Sequence, residues 1–122
     1  MNQKNLRRNE DILREISAMI REDIKDPRVT SSMVSVVRTE LSGDNSSCKV
    51  FISAIEGLTT AKKAAEGLTS AAGMIRREIA NRLHMKKAPE LKFIADNSIE
   101  YSARIIKELE VLESEQENGD KL

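Results

Sequence analysis

Cysteine, aromatic residues and long apolar runs are scarce in this chain of 122 residues. Cys48 is the only cysteine, so no disulfide can form within the chain. No apolar run approaches the roughly 20 residues that a membrane-spanning helix needs, which excludes an integral membrane protein. The charged N-terminal stretch also lacks the apolar segment of a signal peptide. Together these absences predict a protein of the reducing cytoplasm.

Residue types suited to catalysis are equally sparse. His84 is the only histidine, and with the distant Cys48 it makes neither a metal site nor a catalytic triad. The chain has no phosphate-binding loop and no GxSxG nucleophile elbow. We therefore expect no catalytic activity, no nucleotide hydrolysis, no metal, no cofactor and no small-molecule substrate.

The three aromatic residues, Phe51, Phe93 and Tyr101, are too few for a base-stacking platform. The alternation of apolar residues around Phe93 predicts that its ring lies in the core. A nucleic-acid partner would therefore be recognised by backbone and shape, as structured RNA is.

A formal net charge of zero conceals an uneven distribution. Between residues 61 and 93 the bases outnumber the acids, and they are Lys62, Lys63, Arg76, Arg77, Arg82, Lys86, Lys87 and Lys92. From residue 94 onward the acids outnumber the bases. A basic middle segment fits a nucleic-acid partner. An ordinary mixed surface is an equally good interpretation of charge pattern alone.

Periodicity predicts seven elements in the order helix, strand, strand, helix, helix, strand, helix. A long amphipathic first helix ends at the Asp-Pro-Arg sequence that begins at Asp26, and the turn sequence SGDNS joins two alternating strands. Thr59 or Thr60 is expected to cap the next helix. The last helix is expected to end near Leu112, followed by a solvated tail. Such an order makes a small α+β sandwich, similar to the type II KH fold.

Small residues interrupt the helical middle of the chain at Ala71, Ala72 and Gly73. Glycine inside a helix costs about 1 kcal/mol relative to alanine, so the interruption calls for a reason. One explanation is room for helix packing against the sheet. The other is a bend at which an RNA backbone approaches closely.

Three sequence stretches carry a family resemblance: IKDPRV from Ile24, AAGMIRREIANRL from Ala71, and PELKFIADNSIEYSARI from Pro89. They resemble the ribosome-binding factor A family of bacterial small-subunit assembly factors, from about Leu6 to Leu112. In that family an A-x-G kink replaces the GxxG loop of KH domains, and the pattern falls on Ala71 to Gly73. The resemblance implies a single type II KH-like domain, with a three-stranded sheet packed by helices.

The resemblance also implies the function. It implies a non-enzymatic, cytoplasmic factor that binds free 30S subunits and their immature 16S rRNA, and assists late rRNA maturation and processing. The helix kink would lie at Ala71, Ala72 and Gly73. The candidate RNA-binding residues are Arg76, Arg77, Arg82, Lys86, Lys87, Lys62, Lys63, Arg7 and Arg8. For each arginine of the middle segment an ordinary solvated face, such as Arg82 paired with Glu78, is an equally good interpretation. For Arg7 and Arg8 the solvated face is favoured, because the same helix carries Glu10 and Asp11.

The expected organisation is a KH-like ribosome-binding domain at residues 1–112 and an acidic, disordered tail at residues 113–122. We expect a monomer without a membrane partner. The alternative is a protein interaction or dimerisation module without RNA binding. The RNA-binding factor and the interaction module can be distinguished by salt dependence, because RNA binding weakens steeply as the salt concentration rises.

Overall fold

The computed structural model describes the backbone of residues 3–120 and the side chains of residues 5–98 and 104–114. Its elements follow the predicted order with one short helix added. They are α1 (Gln3–Glu22), α2 (Pro27–Thr30), β1 (Val34–Leu41), β2 (Ser47–Ala54), α3 (Leu58–Ser70), α4 (Ala72–Arg82), β3 (Glu90–Ala95) and α5 (Ser98–Asp120).

The sheet has the order β1-β2-β3, with β1 antiparallel to β2 and β2 parallel to β3. A parallel pair needs a long crossover, and α3 and α4 supply it. The turn between β1 and β2 lies where SGDNS predicts it, because the backbone N–H of Ser42 bonds the carbonyl of Ser47 at 2.8 Å. The predicted α+β, KH-like fold is confirmed.

The core lies between the helices and one face of the sheet. Its fully buried members are Ile12, Ile16, Met19, Val50, Ile52, Leu68, Ile75 and Ile79. Burying each of these side chains stabilises the fold by roughly 1.5–3 kcal/mol. Phe93 is also buried, as its alternating neighbours predict, whereas Leu6, expected on the apolar face of α1, is half exposed.

Two predicted helix ends are wrong. α3 begins at Leu58 with Gly57 at its cap position, ahead of Thr59 and Thr60, so neither threonine caps it. α5 continues to Asp120 rather than ending near Leu112. The residues after Leu112 include three glutamates and a glutamine, which favour helix, and no proline stops it. The division of the chain at residue 112 remains a prediction, and Lys121 and Leu122 lie outside the described residues.

No helix among the described residues has the length and apolarity that crossing a membrane requires.

Candidate nucleic-acid interface

The small residues break the crossover helix at a single position. Ala71 stands between α3 and α4 with φ −94° and ψ 4°, outside helical geometry. Its N–H bonds the carbonyls of Gly67 and Leu68 at 3.3 and 3.1 Å, and its own carbonyl accepts from the N–H of Ile75 at 3.0 Å. Because the hydrogen bonding continues through the break, the structure has a kink rather than a loop. The kink falls at Ala71, the first of the three small residues.

Two glycines near the kink serve different purposes. Gly67 is buried, and a Cβ built on it would lie 3.0 Å from the Val29 Cγ2 and 3.3 Å from the Arg28 Cβ. It is small so that α2 can pack closely on α3. Gly73 is exposed, and a Cβ built there would meet nothing within 4 Å. Packing room therefore explains Gly67 and does not explain Gly73.

The IKDPRV stretch docks beside this kink. Asp26 caps α2, with Pro27 in its first turn, and accepts from the Arg28 backbone N–H at 2.9 Å and from Nη2 at 2.7 Å. These bonds from Arg28 lower the pKa of Asp26. Arg28 Nη2 also lies 3.2 Å from the Oγ of Ser70, the last residue of α3. Sequence reasoning used the proline only as a helix stop and missed that Asp-Pro is also a helix start.

Arg76 is bound to the protein's own backbone. Its Nε donates to the carbonyl of Pro89 and its Nη2 to that of Ala88, each at 3.1 Å. The side chain is half-buried. It joins α4 to the segment that enters β3, so its first role is to hold the crossover on the sheet.

Arg82 is bound by three carboxylates. Its Nη2 lies 2.9 Å from Asp23, and its Nη1 and Nε lie 3.3 Å from Glu15 and Glu78. The hydrogen bond with Asp23 is the main cause that raises the pKa of Arg82. The predicted partner Glu78 is present, and Glu15 of α1 and Asp23, which follows α1, are additional partners. All three guanidinium nitrogens therefore face carboxylates within the protein.

The other predicted bases of the crossover are exposed. They are Lys62, Lys63, Arg77, Lys86 and Lys87, which we call the crossover bases. Among the described side chains, no ion pair involves any of them. On α1, Arg7 is exposed and Arg8 is half-buried. The structure thus separates five solvent-facing cations from two arginines that bind within the fold.

The end of α4 sets the position of two crossover bases. His84 has φ 53°, and the N–H of Met85 bonds the carbonyl of Ala80 at 2.9 Å. This is the pattern of a Schellman cap, in which glycine usually takes the left-handed position. The chain therefore turns away from α4 just before Lys86 and Lys87. His84 is exposed, and the described residues contain no group of three or more His, Cys, Asp or Glu able to hold a metal.

The hairpin turn places an ionised carboxylate near Lys87. Asp44 accepts from the hydroxyls of Ser42 and Ser46, each at 2.7 Å, and from the N–H of Ser46 at 3.1 Å. These hydrogen bonds, with those from Ser46 first, lower the pKa of Asp44 to about 2. Asp44 and Lys87 line one surface pocket. The two residues are far apart in the sequence, so the sequence alone does not predict that they lie close together.

Aromatic stacking has little support among the described side chains. Phe93 lies in the core, and the Arg38 guanidinium lies 3.9 Å from the ring centroid of Phe51. The side chain of Tyr101 lies outside the described residues.

Comparisons with known proteins point in one direction. A family model described as ribosome-binding factor A matches residues 4–109. A protein of that name from Caldanaerobacter subterraneus subsp. tengcongensis is 42% identical over 120 residues, which is 98% of this chain and 97% of the relative.

Solved structures give the same match. An NMR structure from Thermotoga maritima, described as a candidate ribosome binding factor A, has a TM-score of 0.68 and 29% identity, and covers 82% of this chain and 95% of that one. A Thermus thermophilus ribosome binding factor A, built by homology and fitted into a cryo-EM map of a 30S complex, has a TM-score of 0.58 and 24% identity. It covers 70% of this chain and 88% of that one. The second likeness supports the fold alone.

Proposed function

Because this chain belongs to the ribosome-binding factor A family, we propose that it is a ribosome assembly factor that binds free 30S subunits and their immature 16S rRNA. In this role it assists late maturation and processing of the rRNA. A ribosome binding factor A of Thermus thermophilus has been fitted into a cryo-EM map of a 30S complex, and shared family membership is the reason for proposing the same partner for this chain. The observation that carries the proposal is the exposed Gly73 at the start of α4, one helical turn before Arg77, an exposed cation without an ion-pair partner among the described side chains.

The crossover bases are the proposed phosphate contacts. Arg77 can bind a phosphate through two hydrogen bonds, whereas lysines act as point charges. Such contacts give affinity and orientation without reading sequence. At the kink, the missing side chain of Gly73 lets the RNA backbone come close.

Arg76 and Arg82 have a positioning role in this proposal. Both side chains donate hydrogen bonds within the protein. Arg76 donates to two carbonyls, and Arg82 donates to three carboxylates. They hold α4 against β3 and α1, and so fix where the crossover bases lie. The exposed Arg7 and the half-buried Arg8, both on α1, would add a second, weaker contact.

The proposed factor acts without catalysis. Burial raises the pKa of the Cys48 thiol to about 11, so it stays protonated and is a poor nucleophile. His84 is exposed and has no second histidine or cysteine beside it on the surface. We propose a cytoplasmic monomer that needs no cofactor, metal or small-molecule substrate.

The proposal is tested by co-sedimentation with free small subunits, large subunits and joined ribosomes across a salt series. The variant Lys86→Glu/Lys87→Glu should lose binding to small subunits, and the wild type should show a steep salt dependence. The matched control is Arg21→Glu/Lys49→Glu, which changes net charge equally at exposed positions of α1 and β2.

Equal losses in both variants would mean that only net charge matters and would contradict the assigned interface. A folded wild-type protein that sediments with no particle would contradict the function itself and would favour a protein interaction module. Thermal melting of each variant keeps loss of fold separate from loss of binding.

A further inference from the structure

The hairpin turn between β1 and β2 and the segment that enters β3 form a small polar pocket. It is lined by Asp44, Asn45, Ser46, Lys87 and Ala88 and has a volume of about 260 Å³. Pockets for drug-sized ligands measure about 300–1,000 Å³, so this one suits a single flat ring system rather than a larger molecule. The proposed phosphate contacts use Lys87 and leave the pocket itself unused.

Both walls of the pocket are held by hydrogen bonds. On one side, the N–H of Glu90 donates to the carbonyl of Ser46 at 2.9 Å, which ties the turn to the start of β3. On the other side, the Nη2 of Arg76 donates to the carbonyl of Ala88 at 3.1 Å. A ligand would therefore meet groups whose positions are already fixed, which lowers the entropy cost of binding.

The pocket contains an acceptor and a donor that do not bond each other. The Oδ1 of Asp44 accepts the hydrogen bonds from Ser42 and Ser46, and no other described residue donates to its Oδ2. These hydrogen bonds lower the pKa of Asp44 to about 2, so the carboxylate is ionised at neutral pH. Lys87 lines the same pocket but forms no ion pair with a described side chain. An anionic acceptor and a cationic donor are therefore both available to a ligand.

A further acceptor in the wall of the pocket lacks a partner. The Oδ1 of Asn45 is buried and accepts no hydrogen bond from the described residues. Buried acceptors are nearly always satisfied, by the protein or by ordered water. A donor that enters the pocket would supply the missing hydrogen bond once the amide of Asn45 rotates toward it. The pocket therefore offers two acceptors and one donor.

An unpaired guanine carries the complementary set of groups on its Watson–Crick edge. Two neighbouring donors, the N1–H and the 2-amino group, lie beside one acceptor, O6. Adenine and cytosine each place a single amino group beside ring acceptors, and uracil has a carbonyl on both sides of its only donor, where a carboxylate repels it. Proteins that read RNA sequence use these edges of unpaired bases.

We propose that Asp44, Asn45 and Lys87 bind an unpaired guanine of the RNA by its Watson–Crick edge. Asp44 and Asn45 accept from N1–H and the 2-amino group, and Lys87 donates to O6. A phosphate is unfavourable beside the Asp44 carboxylate, so a base is the part of RNA that fits this pocket. The inference rests on the proposed function for RNA as the partner, and it adds a contact that reads sequence to phosphate contacts that do not.

The test measures the fluorescence anisotropy of short, labelled uridine oligomers that carry guanine, adenine or hypoxanthine at the central position. We expect the guanine oligomer to bind roughly tenfold more tightly than the adenine oligomer, because matched hydrogen bonds to a base edge discriminate by at least that much. Hypoxanthine lacks the 2-amino group, so its oligomer should also bind more weakly than the guanine oligomer. Equal affinity for guanine and adenine, or no binding of the guanine oligomer, would overturn the inference.

Two adjacent lysines provide a matched pair of variants. Lys87→Gln should remove most of the preference for guanine, whereas Lys86→Gln, at a residue that does not line the pocket, should weaken all oligomers and keep the preference. Asp44→Asn replaces an acceptor by a donor and should abolish the preference. Asn45→Gly should reduce it in a turn that still folds, because glycine favours the φ of 62° found there. Thermal melting checks the fold of each variant, and equal losses of preference in Lys86→Gln and Lys87→Gln would contradict the pocket.

Two further measurements separate this inference from its alternatives. GMP presents the same edge on a free nucleotide, and binding of GMP as tight as that of the guanine oligomer would overturn the assignment to RNA. A wild-type protein that sediments with small subunits but has no preference for guanine would overturn the inference and leave the proposed function standing. A preference for guanine without sedimentation with small subunits would support the pocket and contradict the proposed particle.

Discussion

The Nη2 of Arg82 lies 2.9 Å from the Oδ2 of Asp23, and this pair ties the end of α4 to the residue that follows α1. Glu15 and Glu78 complete the arrangement, so four charged side chains from two regions of the chain meet. Arg82, which the sequence predicts as an RNA ligand, therefore forms ion pairs within the fold. Reversing its charge would disturb the fold before any RNA is present.

Substitution of Arg82 should therefore affect stability, and substitution of Arg77 should affect binding. Arg82→Ala leaves three carboxylates facing one another, so we expect a melting temperature a few degrees lower, with the loss smaller at high salt. Arg77→Ala should melt as the wild type does and bind small subunits more weakly. Melting curves at low and high salt, together with subunit sedimentation, check both halves. An unchanged melting temperature of Arg82→Ala would contradict a stabilising role for Arg82.

The two glycines near the kink should respond in opposite ways to alanine. Gly67→Ala drives a methyl group to 3.0 Å from Val29 and should lower the free energy of unfolding by about 1–3 kcal/mol. Gly73→Ala meets open space and should raise it by up to about 1 kcal/mol, because alanine favours helix. Chemical denaturation measures both. If the proposed function is correct, Gly73→Ala also weakens binding to small subunits, although the variant is more stable. Binding equal to that of the wild type would contradict the proposal that the RNA backbone approaches closely at Gly73.

The left-handed residue at the end of α4 offers a stabilising substitution. His84 has φ 53° at a position that glycine prefers, and the left-handed conformation costs other residues about 1–2 kcal/mol. His84→Gly should therefore raise the free energy of unfolding by about 1 kcal/mol, whereas His84→Val should lower it. Urea unfolding of the two variants checks the difference. If both were destabilising by the same amount, the imidazole itself would be supporting the turn.

The hairpin turn predicts part of the response to acid. The pKa of Asp44 is lowered to about 2 in the fold, against an ordinary value of 3.8, so its contribution to stability is complete above pH 4. It is lost as pH falls through 2, where the folded protein must take up the proton. The pKa values of Asp26 and Asp96 are lowered as well, which adds to the same trend.

Between pH 4 and pH 2 we therefore expect Asp44→Asn to lose melting temperature less steeply than the wild type does. Glu10→Gln, an exposed acid of α1, is the control and should follow the wild-type curve. Parallel curves for Asp44→Asn and wild type would contradict the role assigned to the turn.

Local patterns predicted most of the fold because they report on which face of an element is buried. Cys48, Val50, Ile52 and Ala54 alternate in the sequence and are all buried on one side of β2. α2 escaped prediction because a helix of four residues leaves no periodicity. α5 extends beyond its predicted end because glutamate favours helix, although an acidic composition is also typical of a solvated tail.

The candidate interface was harder to predict because partners far apart in sequence decide which cations are exposed. Arg76 and Arg77 are adjacent and look alike in the sequence, yet one binds two carbonyls near β3 and the other faces solvent. Arg82 meets Asp23 across 59 residues of chain. Helical spacing could foresee only its neighbour Glu78. Charge counting identified the basic segment. Tertiary contacts determine which of its bases face solvent and which bind within the fold.

The parallel pairing of β2 with β3 also bears on the order in which the chain can fold. The β1–β2 hairpin closes a short loop, whereas β3 can join it only after the whole crossover, with its kink and bases, has been spanned. Contacts between residues far apart in sequence form late because closing a long loop costs entropy. A nascent chain that has made only the hairpin therefore lacks the surface proposed for RNA. Pairing of β3 with β2 therefore also brings the two ends of the crossover together and positions the bases proposed to contact RNA.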